Sequence, residues 1–224
     1  MPLQPSVIII LNFMPLKLST FSVIARDPFQ NIFGIAVSTK VPAVGSLCPF
    51  IRHGVGAVCT QAWVNPELGP LILDQLSAGK RAKDALENVM GNEADAELRQ
   101  VGVVDTFGDS AAFTGSNTDH WTGHKTGKNY SIQGNMLVDE HTLVAMQKII
   151  TSNKTLDLSE RLLATLEAGQ NAGGDRRGRQ SAALLVHNQQ TVPLVDLRVD
   201  ENADPVKELR RIYEIAKTEL FPFI

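Results

Sequence analysis

The chain has 224 residues, of which 43% are hydrophobic and 20% are charged, and its formal net charge at pH 7 is -3. This composition is typical of a globular protein with a sizeable core, and it gives no support to a nucleic-acid-binding or membrane-surface role. The two cysteines, Cys48 and Cys59, allow at most one disulfide and lack metal-type spacing, which excludes a disulfide scaffold. Cys59 lies in an apolar run and is interpreted as a small buried residue, not as a nucleophile.

Residues 1–19 are predicted to be an extension or leader in front of a single domain that spans residues 20–224. The apolar run 7–11 is too short to cross a bilayer. It would suit the apolar part of a signal peptide, but no Lys or Arg precedes it, since the first is Lys17. A retained extension, a self-removed propeptide and a start codon placed too early all remain open. We expect a cytoplasmic protein, with an exported form if this segment is a signal peptide.

The apolar spacing predicts strands and helices that alternate in groups along the chain. Strands are predicted at 20–27, 34–38, 53–61, 101–105, 110–114, 181–186 and 195–200. Helices are predicted after Asn65 as cap, from about Arg81 to Met90, at 140–151 and 158–168, and after Asp204 as cap. Residues 41–50 are predicted to be an irregular connection, and residues 115–130 a surface loop over a cleft.

The strands come in hairpin-like pairs, which argues against a doubly wound parallel sheet. Two stacked, mainly antiparallel sheets with helices on both outer faces would bury all the apolar stripes. We therefore predict an α+β fold, a four-layer αββα sandwich. Five apolar residues are expected in its core: Val23, Val37, Val58, Val103 and Leu185.

Thr20 is the first candidate for chemistry, because its hydroxyl lies at the start of a predicted core strand. If residues 1–19 were removed, Thr20 would also carry a free α-amine with a pKa of about 7.7–8.0. An α-amine next to a hydroxyl can activate a threonine nucleophile without a histidine. The alternative is that Thr20 is an ordinary β-favouring residue at a strand end.

Other candidates lie in polar turns and are interpreted with their structural alternatives. Arg176, Arg177 and Arg179 follow Asp175 in a glycine-interrupted turn that would suit the binding of a carboxylate or phosphate, unless they form structural ion pairs. Gln133 and Asn135 are predicted to donate to an oxyanion, with a plain turn as the alternative. Gln61 and Asn65 are predicted to hold substrate, and they could equally be structural.

His124 is predicted to line the cleft as a hydrogen-bond donor. Together with Asp119 and His120 it has a spacing that could hold a metal, but Trp121, Thr122 and Gly123 argue against the helix that this spacing requires. We therefore predict no metal and no cofactor.

Several of these segments resemble the DUF1028 family, over residues 20 to 213. The residues that carry the resemblance are 20–27, 54–58, 61–62, 65–66, 133–135, 173–181 and 195–200. The Gly-Gly-Asp-Arg-Arg-Gly-Arg-Gln run, residues 173–180, is the most specific of them. The family is grouped with the N-terminal-nucleophile (Ntn) hydrolases, so the resemblance implies an αββα sandwich. It also implies that the threonine matching Thr20 attacks an amide carbonyl once it is the first residue.

The sequence therefore predicts an Ntn-type hydrolase of amide C–N bonds, with Thr20 as nucleophile. Its partner would be a small-molecule substrate with an anionic part held by the arginine turn. No nucleic acid or membrane partner is expected, and a homo-oligomer remains open. The rival hypothesis keeps the fold without the chemistry, as a small-molecule binding or structural protein in which an uncut extension blocks Thr20.

Overall fold

The computed structural model describes residues 17–18, 20–152 and 156–223. Predictions that concern the first 16 residues and Ser19 lie outside the described residues. The elements in chain order are β1 (Lys17–Leu18), β2 (Thr20–Asp27), β3 (Ile32–Thr39), β4 (Pro49–Arg52), β5 (Gly56–Trp63), α1 (Leu68–Ser77), α2 (Ala82–Met90), β6 (Arg99–Asp105), β7 (Ser110–Thr114), β8 (Gly123–Gly127), β9 (Tyr130–Gly134), α3 (His141–Ser152), α4 (Leu158–Asn171), β10 (Ser181–His187), β11 (Val195–Val199) and α5 (Pro205–Glu219).

The strands form two sheets, and every strand pair in them is antiparallel. The larger sheet has the order β11-β10-β3-β2-β9-β8. In the smaller sheet β5 pairs with β6, which pairs with β7, while β1 and β4 share the other edge of β5. The chain thus passes from the smaller sheet to the larger one between β1 and β2, immediately before Thr20.

Three apolar clusters show that the sheets are stacked between two helix layers. Phe21, Val23 and Ala25 of β2 face α3, α4 and α5, while Ile24 of the same strand packs between the sheets. Val58 and Val103 pack against α1 and α2 on the outer face of the smaller sheet. Side chains of successive strand residues point to opposite faces, so β2 must be apolar on both. The predicted four-layer αββα sandwich is confirmed.

Two predicted connections were wrong, because each contains strand. Residues 41–50 include the first two residues of β4, and residues 115–130 include β8 and the first residue of β9. β8 is an edge strand made of Gly, His, Lys and Thr, all half-buried or exposed, so it has no apolar alternation to detect. Its place is determined by backbone pairing with β9, in register from Gly123 opposite Gly134.

Two further predictions need correction. Helix α1 begins at Leu68, and Asn65 is not its cap but accepts a hydrogen bond at Oδ1 from the Glu67 N–H at 3.1 Å, which forms a turn before the helix. Leu185 is only partly buried, although the four valines predicted with it are fully buried. It faces the space between the sheets beside the four-residue β4, which is too short to cover it. Among the described residues, no helix is long and apolar enough to span a membrane.

His187, the last residue of β10, is expected to make the fold less stable in acid. Burial lowers the pKa of its imidazole more than a hydrogen bond to the Gln190 backbone raises it, and its buried Nδ1 atom has no hydrogen-bond partner among the described residues. In the unfolded chain the pKa returns to about 6.5, so below that pH the unfolded state binds more protons and the free energy of unfolding falls. Urea unfolding at pH 7.5 and 5.5 should show a smaller acid loss for His187→Gln than for the wild type. His141→Gln, at an exposed position, is the control, and an unchanged acid loss in His187→Gln would contradict the assignment.

Candidate functional site

Thr20 lies at the point where the chain enters the centre of the larger sheet. It pairs with Thr39 of β3, and its hydroxyl donates a hydrogen bond to Thr39 Oγ1 at 3.2 Å. Thr20 has no exposed surface in this form of the chain. Just before it, Leu18 of β1 pairs with Ala62 and is also completely buried between the sheets. Leu18 therefore occupies interior space between the sheets, two residues before Thr20.

The carbonyl oxygen of Thr20 is held by three hydrogen-bond donors. Gln61 Nε2 donates to it at 3.2 Å, the Asn135 backbone N–H at 3.0 Å and Asn135 Nδ2 at 3.5 Å. These donors come from β5 and from the residue just after β9, so both sheets contribute. The backbone of residue 20 is thereby anchored from two sides.

A buried network of polar side chains, here called the amide cluster, extends from this carbonyl between the sheets. Its members are Ser22, Gln61, Gln100, Gln133 and Asn135, all of them buried. The Gln100 Oε1 atom accepts from Gln61 Nε2 at 2.7 Å and from Asn135 Nδ2 at 3.1 Å. Ser22 donates to Gln61 Oε1 at 2.7 Å and accepts from Gln133 Nε2 at 2.6 Å. Fully paired buried networks of this kind are rigid, because leaving any member unpaired is costly.

Gln133 of β9 and Asn135, just after β9, make different contacts in the amide cluster. Gln133 does not reach Thr20: its Nε2 donates to Ser22, and its Oε1 accepts from the Ser131 hydroxyl at 2.9 Å. Asn135, in contrast, contacts the Thr20 carbonyl through both its backbone and its side chain. Of this pair, Asn135 is therefore the one that can act directly on residue 20.

The glycine-rich arginine turn folds against the same end of the larger sheet. Gly173, Gly174 and Gly178 have φ angles of 121°, 63° and 116°, a region that favours glycine. Two backbone hydrogen bonds connect the turn to the neighbours of Thr20: Gln180 N–H donates to Thr39 O at 2.9 Å, and Arg176 N–H donates to the carbonyl of residue 136 at 3.0 Å. The turn and Thr20 thus share one end of the sandwich.

Asp175 is the buried centre of this turn. Its carboxylate accepts from the Lys40 N–H at 3.1 Å, from the Arg177 N–H at 2.9 Å and from Arg177 Nη2 at 2.8 Å. The Arg177 guanidinium also reaches the other carboxylate oxygen through Nε at 3.2 Å, so the pair is bidentate. Asp175 therefore connects the turn to the residue that follows β3.

The three arginines of the turn have different environments. Arg177 is paired with Asp175, and Arg179 Nη1 lies 2.9 Å from Asp204 Oδ1 at the start of α5. The contacts of these two arginines are therefore those of structural ion pairs, the alternative given in the sequence analysis. Arg176 is exposed, and its side chain makes no hydrogen bond or ion pair to any described residue.

His124 and Asn65 lie outside the amide cluster. His124 Nδ1 is 2.8 Å from Thr114 Oγ1, and that hydroxyl accepts from Gln100 Nε2 at 2.9 Å, so His124 is joined to the cluster at its edge. Asn65 Nδ2 donates to Glu93 at 3.1 Å, next to α2. In the described part of the chain, no three His, Cys, Asp or Glu side chains come close enough to hold a metal ion.

The comparison with family models identifies the chain's relatives. The model described as a family of unknown function, DUF1028, matches residues 20–209. The chain belongs to this family. A protein from Silicibacter pomeroyi, solved as a crystal structure and assigned to the same family model, is 32% identical and superposes with a TM-score of 0.84 over 92% of each chain. The comparison with curated proteins gave no match.

More distant similarity is found to Anbu, described as an ancestral beta-subunit. Anbu from Yersinia bercovieri is 10% identical and gives a TM-score of 0.44 over 91% of this chain and 97% of its own. An Anbu mutant from Hyphomicrobium sp. strain MC1 gives the same identity and TM-score, over 92% and 97%. A likeness at this level carries no conclusion about chemistry.

The DUF1028 match begins at Thr20 itself, which is also the first residue of β2. Sequence reasoning found Thr20, Gln61 and Asn135, but it missed three residues of the site: Ser22, Thr39 and Gln100. Ser22 and Thr39 appear as ordinary strand residues in the sequence. Gln100 was placed outside the predicted strand 101–105, although β6 begins at Arg99. The signal in the sequence would have been a glutamine inside a strand that is buried on both faces, because a buried polar side chain needs hydrogen-bond partners.

Proposed function

We propose that this protein is an amide hydrolase of the N-terminal-threonine type, active in a form whose first residue is Thr20. The observation that carries the proposal is the coincidence at Thr20: the family match, the central strand and the anchored carbonyl all begin at this residue. A nucleophile must be positioned within about 0.5 Å to be effective, and a rigid buried anchor supports that.

The proposed reaction uses two groups of Thr20. The free α-amine takes the proton from Oγ1, and Oγ1 forms a bond to the substrate's amide carbonyl carbon. The protonated amine then gives its proton to the leaving nitrogen as the C–N bond breaks, which releases an amine and leaves an ester on Thr20. Water hydrolyses this ester, the amine again serving as base, and restores the hydroxyl. The Thr39 hydroxyl, 3.2 Å from Thr20 Oγ1, is suited to orient the nucleophile.

The amide cluster supports the same chemistry by holding the Thr20 carbonyl still. We assign Gln61 and Asn135 as positioning residues, because their donors converge on that oxygen. Gln133 acts one step further away, through its hydrogen bond to Ser22. Because all these groups are already paired, they cost no reorganisation when the substrate reacts.

We assign the substrate's anionic part to Arg176. Its exposed guanidinium is free of partners among the described residues, and its backbone is fixed beside the end of β9 that carries Asn135. An arginine donates in a planar fork that matches carboxylates and phosphates. The substrate class that follows is a small amide bearing a carboxylate or phosphate. Asp175 holds the turn in place, and we propose no direct contact between Asp175 and the substrate.

The experiment compares the full chain with a form that begins at Thr20, using a panel of small N-acyl amides with and without a carboxylate. We expect hydrolysis by the trimmed form alone, and faster turnover of the carboxylate-bearing amides. Trimmed Arg176→Gln should lose that preference while keeping its rate on neutral amides. Equal rates for the full and trimmed chains would contradict the proposal.

The rival function, binding without catalysis, has one observation in its favour. In the form described here Leu18 is packed between the sheets and Thr20 is completely buried. An amide nitrogen at residue 20 has no basic lone pair, so this form cannot use the proposed base. If the natural protein keeps its extension, the same fold would act as a small-molecule binding protein.

A further inference from the structure

A pocket lies at the opposite end of β2 from Thr20. It has a volume of about 510 Å³ and lies between the end of β2, the β8–β9 turn and the facing parts of α3 and α4. The residues that characterise it are Arg26, Asp27, Lys128, Tyr130, Ile150 and Arg161, and we call it the distal pocket. A rise of about 3.3 Å per residue places Thr20 and Asp27 about 23 Å apart, so this pocket is separate from the site described above.

Arg161 is the unusual residue of the distal pocket. Its Nε atom is buried without a hydrogen-bond partner, and its side chain forms no ion pair with any described residue. Burial lowers the pKa of its guanidinium, and the negative charges of Asp27 and Asp157, which form no ion pair with it, oppose this shift. A partly buried cation without a paired anion is costly, and proteins normally remove the cost with an opposite charge.

Arg26 adds a second cation, whose side-chain hydrogen bonds to the described residues go to neutral amides. Its guanidinium donates to Asn31 Oδ1 at 3.0 Å and to Asn129 Oδ1 at 3.4 Å, and burial lowers its pKa as well. Lys128 is a third cation, although it is paired with Asp109 at 3.0 Å. Asp27, the one carboxylate among the described lining residues, accepts hydrogen bonds from the backbone N–H groups of residues 29 and 30, at 2.8 and 3.2 Å. Its charge also attracts Arg26 and Arg161, without an ion pair to either. The lining therefore has more positive than negative charge.

The other wall of the distal pocket is apolar and aromatic. Tyr130 and Ile150 line it, and the Tyr130 hydroxyl accepts a hydrogen bond from Gln147 Nε2 at 3.0 Å, which leaves its own proton for a ligand. Phe29, at the rim, is 97% exposed. Pockets of a few hundred Å³ with an apolar wall and a few convergent polar groups are typical of small-molecule sites.

We infer that the distal pocket binds a small organic anion, in which a phosphate or carboxylate group is held by Arg161 and Arg26 and an aromatic or apolar body packs against Tyr130 and Ile150. This inference does not depend on the proposed hydrolysis, because none of these residues contacts Thr20 or the amide cluster. The uncut chain and the trimmed form should both bind the anion.

Isothermal titration of the full chain with phenyl phosphate and, separately, with phenylacetate tests the inference. We expect saturable binding at or below about 1 mM for at least one of them, and the tighter binder identifies the head group. Phenol, which lacks the anion, should bind at least about tenfold more weakly. Arg161→Gln should weaken binding by about 10-fold to 100-fold, since a charge-assisted hydrogen bond is lost.

Arg211→Gln is the matched control, because it removes the same charge from an exposed position on α5 that is paired with Glu208. It should bind as the wild type does. Arg161→Gln should remain folded, and the tighter-binding anion should raise the melting temperature of the wild type but not of this variant. No saturable binding of either anion below about 10 mM, or equal weakening by both substitutions, would overturn the inference.

Discussion

Thr20→Ala in the form that begins at residue 20 is expected to abolish amide hydrolysis, with a loss of at least about 10⁴-fold in kcat. The substitution removes Oγ1, the only atom of residue 20 that can form the ester. Thr20→Ser keeps a hydroxyl at the same position and should retain part of the activity. The measurement is product release from the amide that the trimmed wild type hydrolyses fastest.

Thr20→Val is the control that separates chemistry from structure. Valine keeps the branched shape in a position that is completely buried and loses only the hydrogen bond to Thr39. We expect a folded, inactive protein, and Thr39→Val should keep a larger share of the activity than Thr20→Val does. Activity that survives Thr20→Ala or Thr20→Val would move the search for a nucleophile to another part of the molecule.

Asp175→Ala is expected to destabilise the protein by about 2–4 kcal/mol. The carboxylate is buried and holds two backbone N–H groups and the Arg177 guanidinium, all of which would lose their acceptor. Chemical unfolding of the full-length wild type and variant gives this loss as the difference between their free energies of unfolding, provided that the m-value is the same for both.

Asp204→Ala provides a comparison on the same turn, because Asp204 pairs with Arg179 at the surface. Exposed ion pairs contribute little, so its loss should stay below about 1 kcal/mol. If Asp175→Ala were no more destabilising than Asp204→Ala, the turn would not depend on its buried carboxylate, and its part in positioning Arg176 would be wrong.

The fold was predictable where apolar spacing reflects local structure. β2 begins and ends where the alternation predicted, and α2, α3 and α5 follow their apolar stripes. The strands that the sequence did not predict have no such spacing. β4 has four residues, and β8 is a polar edge strand whose existence depends on pairing with β9. Long-range backbone pairing of this kind leaves no periodic trace in the sequence.

The site was predictable only in part, because its network joins residues that are far apart in the chain. Ser22 and Gln133 are hydrogen-bonded across 111 residues, and no local pattern places them together. One local sign exists at Gly102, inside β6. A side chain there would overlap the Gln133 amide, and a glycine inside an apolar strand often marks such a close approach.

The arginine turn shows the same limit for charges. The composition of residues 173–180 indicated a binding turn with three cations and little acidic balance. The partner of Arg179 is Asp204, 25 residues away on another element, and only the fold brings the two together. What the sequence could not supply was therefore which of the three arginines is left unpaired, and the structure points to Arg176.

The central claim, that the α-amine of Thr20 is the catalytic base, is tested most directly by adding a single glycine in front of the trimmed chain. This form keeps residues 20–224, but the nitrogen of Thr20 is an amide again and the free α-amine is on the added glycine. We predict that the form beginning at Thr20 hydrolyses its best amide about 10²–10⁴-fold faster than the glycine-extended form, the usual contribution of a general base. Equal rates for the two forms would contradict the account.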